Sequence, residues 1–187
     1  PLSRVTKAWS PLRFSPTPLV GVLLVQLDSN VDERGSFIRT FSLDEFAEHG
    51  LCISYPEHSI ARNSSRGVLR GLHYQVAPYA EVKIIRCSSG RIFDAVVDLR
   101  KESASYRHWA TFELDAEHPQ LLYLPVGVAH GYQTLSDTSE VEYLISERYR
   151  PDAARGIRWD SSTLCLPWPI SDPIVSERDR THPPLCE

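Results

Sequence analysis

The sequence has no cluster of basic residues, no Cys-x-x-Cys pair, no glycine-rich phosphate loop, no internal repeat and no apolar stretch long enough to cross a bilayer. Each gap removes a class of protein. The 187 residues carry 20 lysines and arginines against 24 acids, interleaved rather than blocked, so the cationic footprint that nucleic acid requires is missing. Cys52, Cys87, Cys165 and Cys186 are widely scattered, which disfavours structural zinc and reads as reduced thiols in a cytoplasmic protein. One segment imitates a signal, PLVGVLLVQL at 18–27. It is too short for a span and lacks a cleavage pattern after it, so it reads as a buried strand and no membrane is expected.

What remains is one domain over 1–187, with 42% hydrophobic residues to build its core. Residues 1–16, holding Pro1, Pro11 and Pro16, read as an N-terminal arm. The best helix signal is SLDEFAEHG at 42–50, where Ser42 and Glu45 make a capping box and Gly50 a stop. Otherwise strand patterns dominate: 36–41, 67–75, 82–87, 91–100, 108–114, 120–125, 131–135 and 141–146. CSSGR, between the third and fourth of these, reads as a hairpin turn around Gly90. Many short strands without a βαβ rhythm argue an all-β sandwich or barrel. Past residue 150 prolines crowd in with Trp159 and Trp168, which predicts a loop-rich tail, 150–187, packed back onto the barrel.

Two stretches carry candidate chemistry. In LPVGVAHGYQTL, Pro125, Gly127 and His130 make a P-x-G-x-x-H pattern that resembles the second motif of the cupins, jelly-roll barrels that often hold a metal. The first cupin motif needs H-x-H, and the matching place reads His73-Tyr74-Gln75. One histidine is missing and Gln75 substitutes poorly, so too few ligands remain for a catalytic metal and none is expected. A metal-free histidine still serves as a base if a carboxylate orients it. Asp179, in the tail stretch SERDR, is a candidate partner. Tyr143 is a candidate proton donor, Lys83 an oxyanion stabiliser, and Arg34 and Arg70 phosphate ligands. Each has a plainer alternative: a satisfied core histidine, a packing tyrosine, a loop carboxylate, a lysine at the barrel rim. Arg70 and His73 are an odd number apart, so a regular strand sends them to opposite faces. A bulge at Gly71 is required if both face one cavity.

Taken as a whole, the chain from about 18 to 185 resembles the dTDP-4-dehydrorhamnose 3,5-epimerase family of cupin-barrel sugar-nucleotide epimerases. The resemblance is carried by DERGSF (32–37), GVLRGLHYQ (67–75), KIIRCSSGRIFDAVVDLRKES (83–103), YLPVGVAHGYQTLSD (123–137), EYLISERYRPDAARGIRWD (142–160) and PIVSERD (173–179). It implies a cupin-type jelly roll and epimerisation of a nucleotide-linked 4-keto-6-deoxy sugar through an enolate. By motif position it implies His73 as base with Asp179, Tyr143 as acid, and Lys83 against the enolate oxygen. It places Arg34 and Arg70 on the diphosphate, Phe37 and Tyr149 in the nucleotide pocket, His130 in the sugar pocket, and Gln75 among the substrate-binding residues. It also implies a homodimer with exchanged N-terminal strands, and neither metal nor organic cofactor.

Two departures from the family pattern stand out. Arg39 occupies a place where the family commonly has Glu, and the 55–65 stretch YPEHSIARNSS replaces a Gln-x-Asn. They keep open a relative acting on a CDP- or GDP-linked sugar, or inverting C3 or C5 alone. A metal-dependent cupin and a non-catalytic sugar-nucleotide binding barrel are the readings from other classes.

Overall fold

The computed structural model describes residues 10–186. Two antiparallel sheets face each other. The first has the order β1 (Arg13–Pro16), β2 (Leu23–Gln26), β10 (Gln120–Leu124), β7 (Lys83–Ser89), β12 (Ser139–Ile145), β5 (Glu57–Asn63). The second runs β13 (Ala154–Gly156), β6 (Val68–Gln75), β11 (Val128–Thr134), β8 (Arg91–Asp98), β9 (Trp109–Asp115), with β14 (Ile174–Val175) parallel to β6. A separate hairpin, β3 (Ser29–Asp32) and β4 (Gly35–Ile38), is hydrogen-bonded to neither. Helix α1 is Leu43–Glu48 and α2 is Glu177–Arg180. The expected all-β jelly roll with one short helix in its first half is what the chain forms, and the tail adds the second helical turn.

Three apolar layers explain why these segments are strands. Ile85, Ile92, Val96, Leu122, Tyr132 and Val141 fill the space between the sheets. Ala95, Val97 and Ala129, on the outer face of the second sheet, are covered by Ile157, Leu164 and Leu166 of the tail. This cover is why β8 reads as a near-continuous apolar run: it is buried on both faces. The tail is pinned by aromatics, with the Trp168 indole N–H donating to the Trp159 carbonyl at 2.8 Å and its ring edge-on to Phe93. The outer face of the first sheet is closed near β2 and β10 by Phe46 of α1 and by Leu12.

Several local expectations change. Arg13–Pro16, within the stretch read as an arm, is an edge strand paired with β2; residues 1–9 lie outside the described residues. CSSGR is not a hairpin. β7 pairs with β10 and β12, while β8 pairs with β11 and β9, so Gly90 (φ +72°) turns the chain from one sheet to the other. A turn residue reports the bend, not which sheet the next strand joins. The strand expected at 36–41 ends at Ile38. Ser42 does cap α1, but Glu45 does not reach back to it. Its carboxylate instead accepts from the Leu12 amide at 2.6 Å and pairs with Arg39.

The bulge at Gly71 is present. His130 lies opposite His73 and Tyr132 opposite Arg70, so two steps on β11 match three on β6. Gly71 has φ +123°, and a Cβ there meets the Gly131 Cα at 2.5 Å and the His130 carbonyl oxygen at 2.8 Å. Backbone rather than a movable side chain occupies that space, so only glycine fits. Gly71→Ala is expected to destabilise the fold by about 2–3 kcal/mol, a midpoint shift readable by urea or thermal unfolding. A variant as stable as the parent sinks this account of the bulge.

Candidate active site

The bulge turns both Arg70 and His73 into one cavity of about 430 Å³ between the sheets. The second sheet contributes Arg70, His73 and His130; the first contributes Lys83 and Tyr143 on the facing wall; α2 contributes Asp179. A larger hollow of about 620 Å³ lies along β5 and β12, lined by Phe41, Ile53, Tyr55 and Ile60. Among the described residues it holds no hydrogen-bonded imidazole–carboxylate pair, whereas the smaller cavity holds His73 with Asp179 and His130 beside Asp94.

Asp179 is 4% exposed yet fully engaged. Its Oδ1 sits 2.7 Å from His73 Nε2, and its Oδ2 accepts the Gly71 amide at 3.1 Å. Local sequence delivers it there, since Ser176 caps α2 by accepting from the Asp179 amide and β14 ties the preceding residues to β6. Burial alone raises this carboxyl, but the His73 hydrogen bond and the Gly71 amide outweigh it and hold the group below the usual carboxylate range. An ionised Asp179 fixes the proton of His73 on Nε2, leaving Nδ1 with the lone pair. His73 is 36% exposed, on the cavity side.

Across the cavity, burial holds the Tyr143 phenol well above its usual value, and the neighbouring Tyr132 and Asp94 add to this. The group stays protonated at any ordinary pH. Tyr132 donates to Asn63 Oδ1 at 3.2 Å, and Arg70 donates to the same oxygen through Nε at 3.0 Å. His130 is buried, with Nε2 2.7 Å from Asp94 Oδ2, and its ring stands edge-on to Tyr143 with centroids 6.0 Å apart. Lys83 is 8% exposed, its ammonium 2.8 Å from Glu81 and 3.3 Å from the His73 carbonyl oxygen. The two histidines of the cupin-like patterns thus each have their own carboxylate.

Of the sequence-derived residues, His73, Asp179, Tyr143, Lys83, Arg70, His130, Gln75 and Tyr149 all border this cavity. Gln75 is nevertheless consumed by the backbone. Its amide donates to the Tyr79 and Arg148 carbonyls and accepts from the Arg150 amide, so its work is to hold the 148–150 segment against β6. Arg34 and Phe37 are not at the cavity. They lie on the β3–β4 hairpin, where Arg34 pairs with Asp32. The residues missed in the sequence are Asp94, Asn63 and Tyr132. Asp94 left a signal, an acid inside the apolar run IFDAVV, which only a buried partner explains.

A family model described as dTDP-4-dehydrorhamnose 3,5-epimerase matches residues 16–187. This chain belongs to the dTDP-4-dehydrorhamnose 3,5-epimerase family. A curated family member from Methanothermobacter thermautotrophicus is 39% identical over 178 residues, covering 94% of this chain and 95% of its own. The crystal structure of the Bacillus anthracis epimerase with TDP and pyrophosphate bound superposes with a TM-score of 0.91. It is 32% identical, and the match covers 94% of this chain and 100% of that one. ChmJ of Streptomyces bikiniensis, a 3′-monoepimerase solved with dTDP-quinovose, gives 0.85 at 28% identity, covering 90% and 86%. The epimerase family assigns the chain to the isomerases, as the resemblance implied.

The pairing of Asp179 with His73 has a pH signature. The folded carboxyl is held below the ordinary value near 3.8, so its contribution to stability is complete above that range and lost as the pH falls through it. The stability difference between the parent and Asp179→Asn, read by urea unfolding, should be constant above about pH 5 and shrink toward pH 2. A difference that stays level across the acid range contradicts an ionised Asp179 stabilised by its hydrogen bonds.

Proposed function

We propose that this protein epimerises C3 and C5 of a dTDP-linked 4-keto-6-deoxyhexose, by proton removal and return through an enolate. The observation that carries the reading is the placement of the His73–Asp179 pair on one wall of the cavity and Tyr143 on the other. The C4 carbonyl acidifies the hydrogens on its neighbouring carbons. His73 Nδ1 takes one of them, and Asp179 stabilises the imidazolium that forms. The Lys83 ammonium faces the oxygen on which charge collects. Tyr143 then delivers a proton to the other face of the carbon, which inverts it. Ring reorientation lets the same base serve the second carbon. Arg70, anchored through Asn63, binds the diphosphate, with Tyr149 beside the nucleotide and His130, locked by Asp94, shaping the sugar pocket. This chemistry asks for no metal and no organic cofactor.

We read the whole chain as a single epimerase domain acting in the cytoplasm, a reading supported by its four free thiols. We also read it as a homodimer. Arg34 and Phe37 lie on the separate hairpin rather than at their own cavity, and Ile53, in the segment before β5, and Ile60, on the outer face of the first sheet, are 42% and 55% exposed. Exchange of N-terminal segments brings Arg34 and Phe37 to the partner's nucleotide, and the partner covers those isoleucines.

One observation favours a second reading, a mono-epimerase or a CDP- or GDP-linked substrate. Within 55–65, the residues facing the cavity are Glu57 and Ser59. A carboxylate accepts well from an exocyclic amino group of cytosine or guanine, and thymine has none. Arg39, the other departure, is absorbed by structure: it pairs with Glu45 and donates to the Ser10 carbonyl at 2.8 Å.

A panel of dTDP-, CDP-, GDP- and UDP-linked 4-keto-6-deoxy sugars in heavy water, followed by NMR at C3 and C5, separates these. Exchange at both carbons of the dTDP sugar is expected. His73→Ala should lower that exchange by about 10³-fold or more, and Tyr143→Phe should keep exchange while losing inverted product. No exchange with any nucleotide removes the enzymatic reading and leaves a binding module. For the dimer, co-expressing the Arg34→Ala and Tyr143→Phe chains should restore about a quarter of parental activity, because half of the random dimers carry one intact site. Absence of restoration in a mixed dimer defeats the exchange.

A further inference from the structure

The tail brings a second imidazole to Asp179. His182 Nε2 lies 3.5 Å from Asp179 Oδ1, the oxygen already 2.7 Å from His73 Nε2, and the two rings meet edge to face with centroids 5.7 Å apart. His182 Nε2 is shielded from solvent and makes no hydrogen bond, since 3.5 Å is too long for a good one. Gly156 makes room for the ring, as a Cβ at that position falls 2.2 Å from it. Among the described residues, His73, Asp179 and His182 are the group whose ligand atoms all lie within 4.8 Å of one another.

We propose that His73, Asp179 and His182 form a binding site for a divalent transition ion of the zinc type, and that the ion switches the base off. Two imidazoles and a carboxylate are borderline ligands suited to such ions. In a tetrahedral site, ligands about 2.0–2.1 Å from the metal stand about 3.3 Å apart. His182 already stands near that separation from Asp179. His73 must retreat from the carboxylate by about 0.6 Å and approach His182, within the reach of a small side-chain rotation.

The consequence for catalysis follows from proton placement. An ion on His73 Nε2 displaces the proton that Asp179 held there. The neutral ring then carries its proton on Nδ1, the nitrogen that must accept from carbon. No proton is gained or lost by the ring; it moves from one nitrogen to the other, and the base loses its lone pair. The ion sits behind the ring rather than in the cavity, so substrate still binds.

Titration of the metal-free protein with Zn2+ alone needs no substrate, so it stands apart from the proposed reaction. One ion per chain is expected, held at least tenfold more weakly by His182→Ala or His182→Asn. Co2+ should give a spectrum of nitrogen and oxygen ligands without the thiolate charge-transfer band that Cys52, Cys165 or Cys186 would produce. In assays of deuterium exchange, Zn2+ should lower kcat with KM nearly unchanged. The His182 variants should keep metal-free activity within about threefold and resist the ion at least tenfold better. Binding unaffected by the His182 changes, a thiolate band, inhibition that raises KM alone, or no binding at micromolar ion overturns the proposal.

Discussion

The site depends on one hydrogen bond between parts of the chain more than a hundred residues apart, from the His73 ring to the Asp179 carboxylate. It joins the bulged strand of the second sheet to the tail that covers that sheet. Both carboxylate oxygens are spoken for, one by the ring and one by the Gly71 amide at the bulge itself. The irregularity that turns His73 toward the cavity therefore also offers the amide that anchors its partner. Removing either component leaves a buried polar group without its complement, an expensive condition at any site.

The facing wall is built on a different principle. Tyr143 is held neutral mainly by exclusion from water, with Tyr132, Asn63 and Arg70 arranged behind it. The proposed reaction uses this contrast, meeting one carbon from two sides with an imidazole supported by charge and a phenol supported by dryness. His130 stands on the same wall as His73, beside it on the neighbouring strand and facing Tyr143 across the cavity, and Asp94 fixes its ring.

Much of this was legible in the sequence, for identifiable reasons. Strands β8 and β10 announce themselves because burial on both faces favours near-continuous apolar runs. The bulge at Gly71 follows from parity once Arg70 and His73 are required to face one cavity. β5 escaped because its residues, EHSIARN, are half wet and carry no periodic apolar face. The β7–β8 connection misled because glycine turns look alike whether the next strand pairs with the last or crosses to the opposite sheet. Gln75 shares the face of His73 but is claimed by three backbone groups that no local pattern reveals. His182 is silent in the sequence, since only the folded tail puts it beside Asp179.

The tail's double duty has a consequence for the order in which the molecule is made. All the strands of both sheets precede residue 179 in the chain, as does the layer formed by Ile157, Leu164 and Leu166. The strands that shape the hollow thus precede in the chain the carboxylate that pairs with His73. On the proposed reading, the base gains its carboxylate only when the four-residue helix α2 docks, rather than in step with the strands.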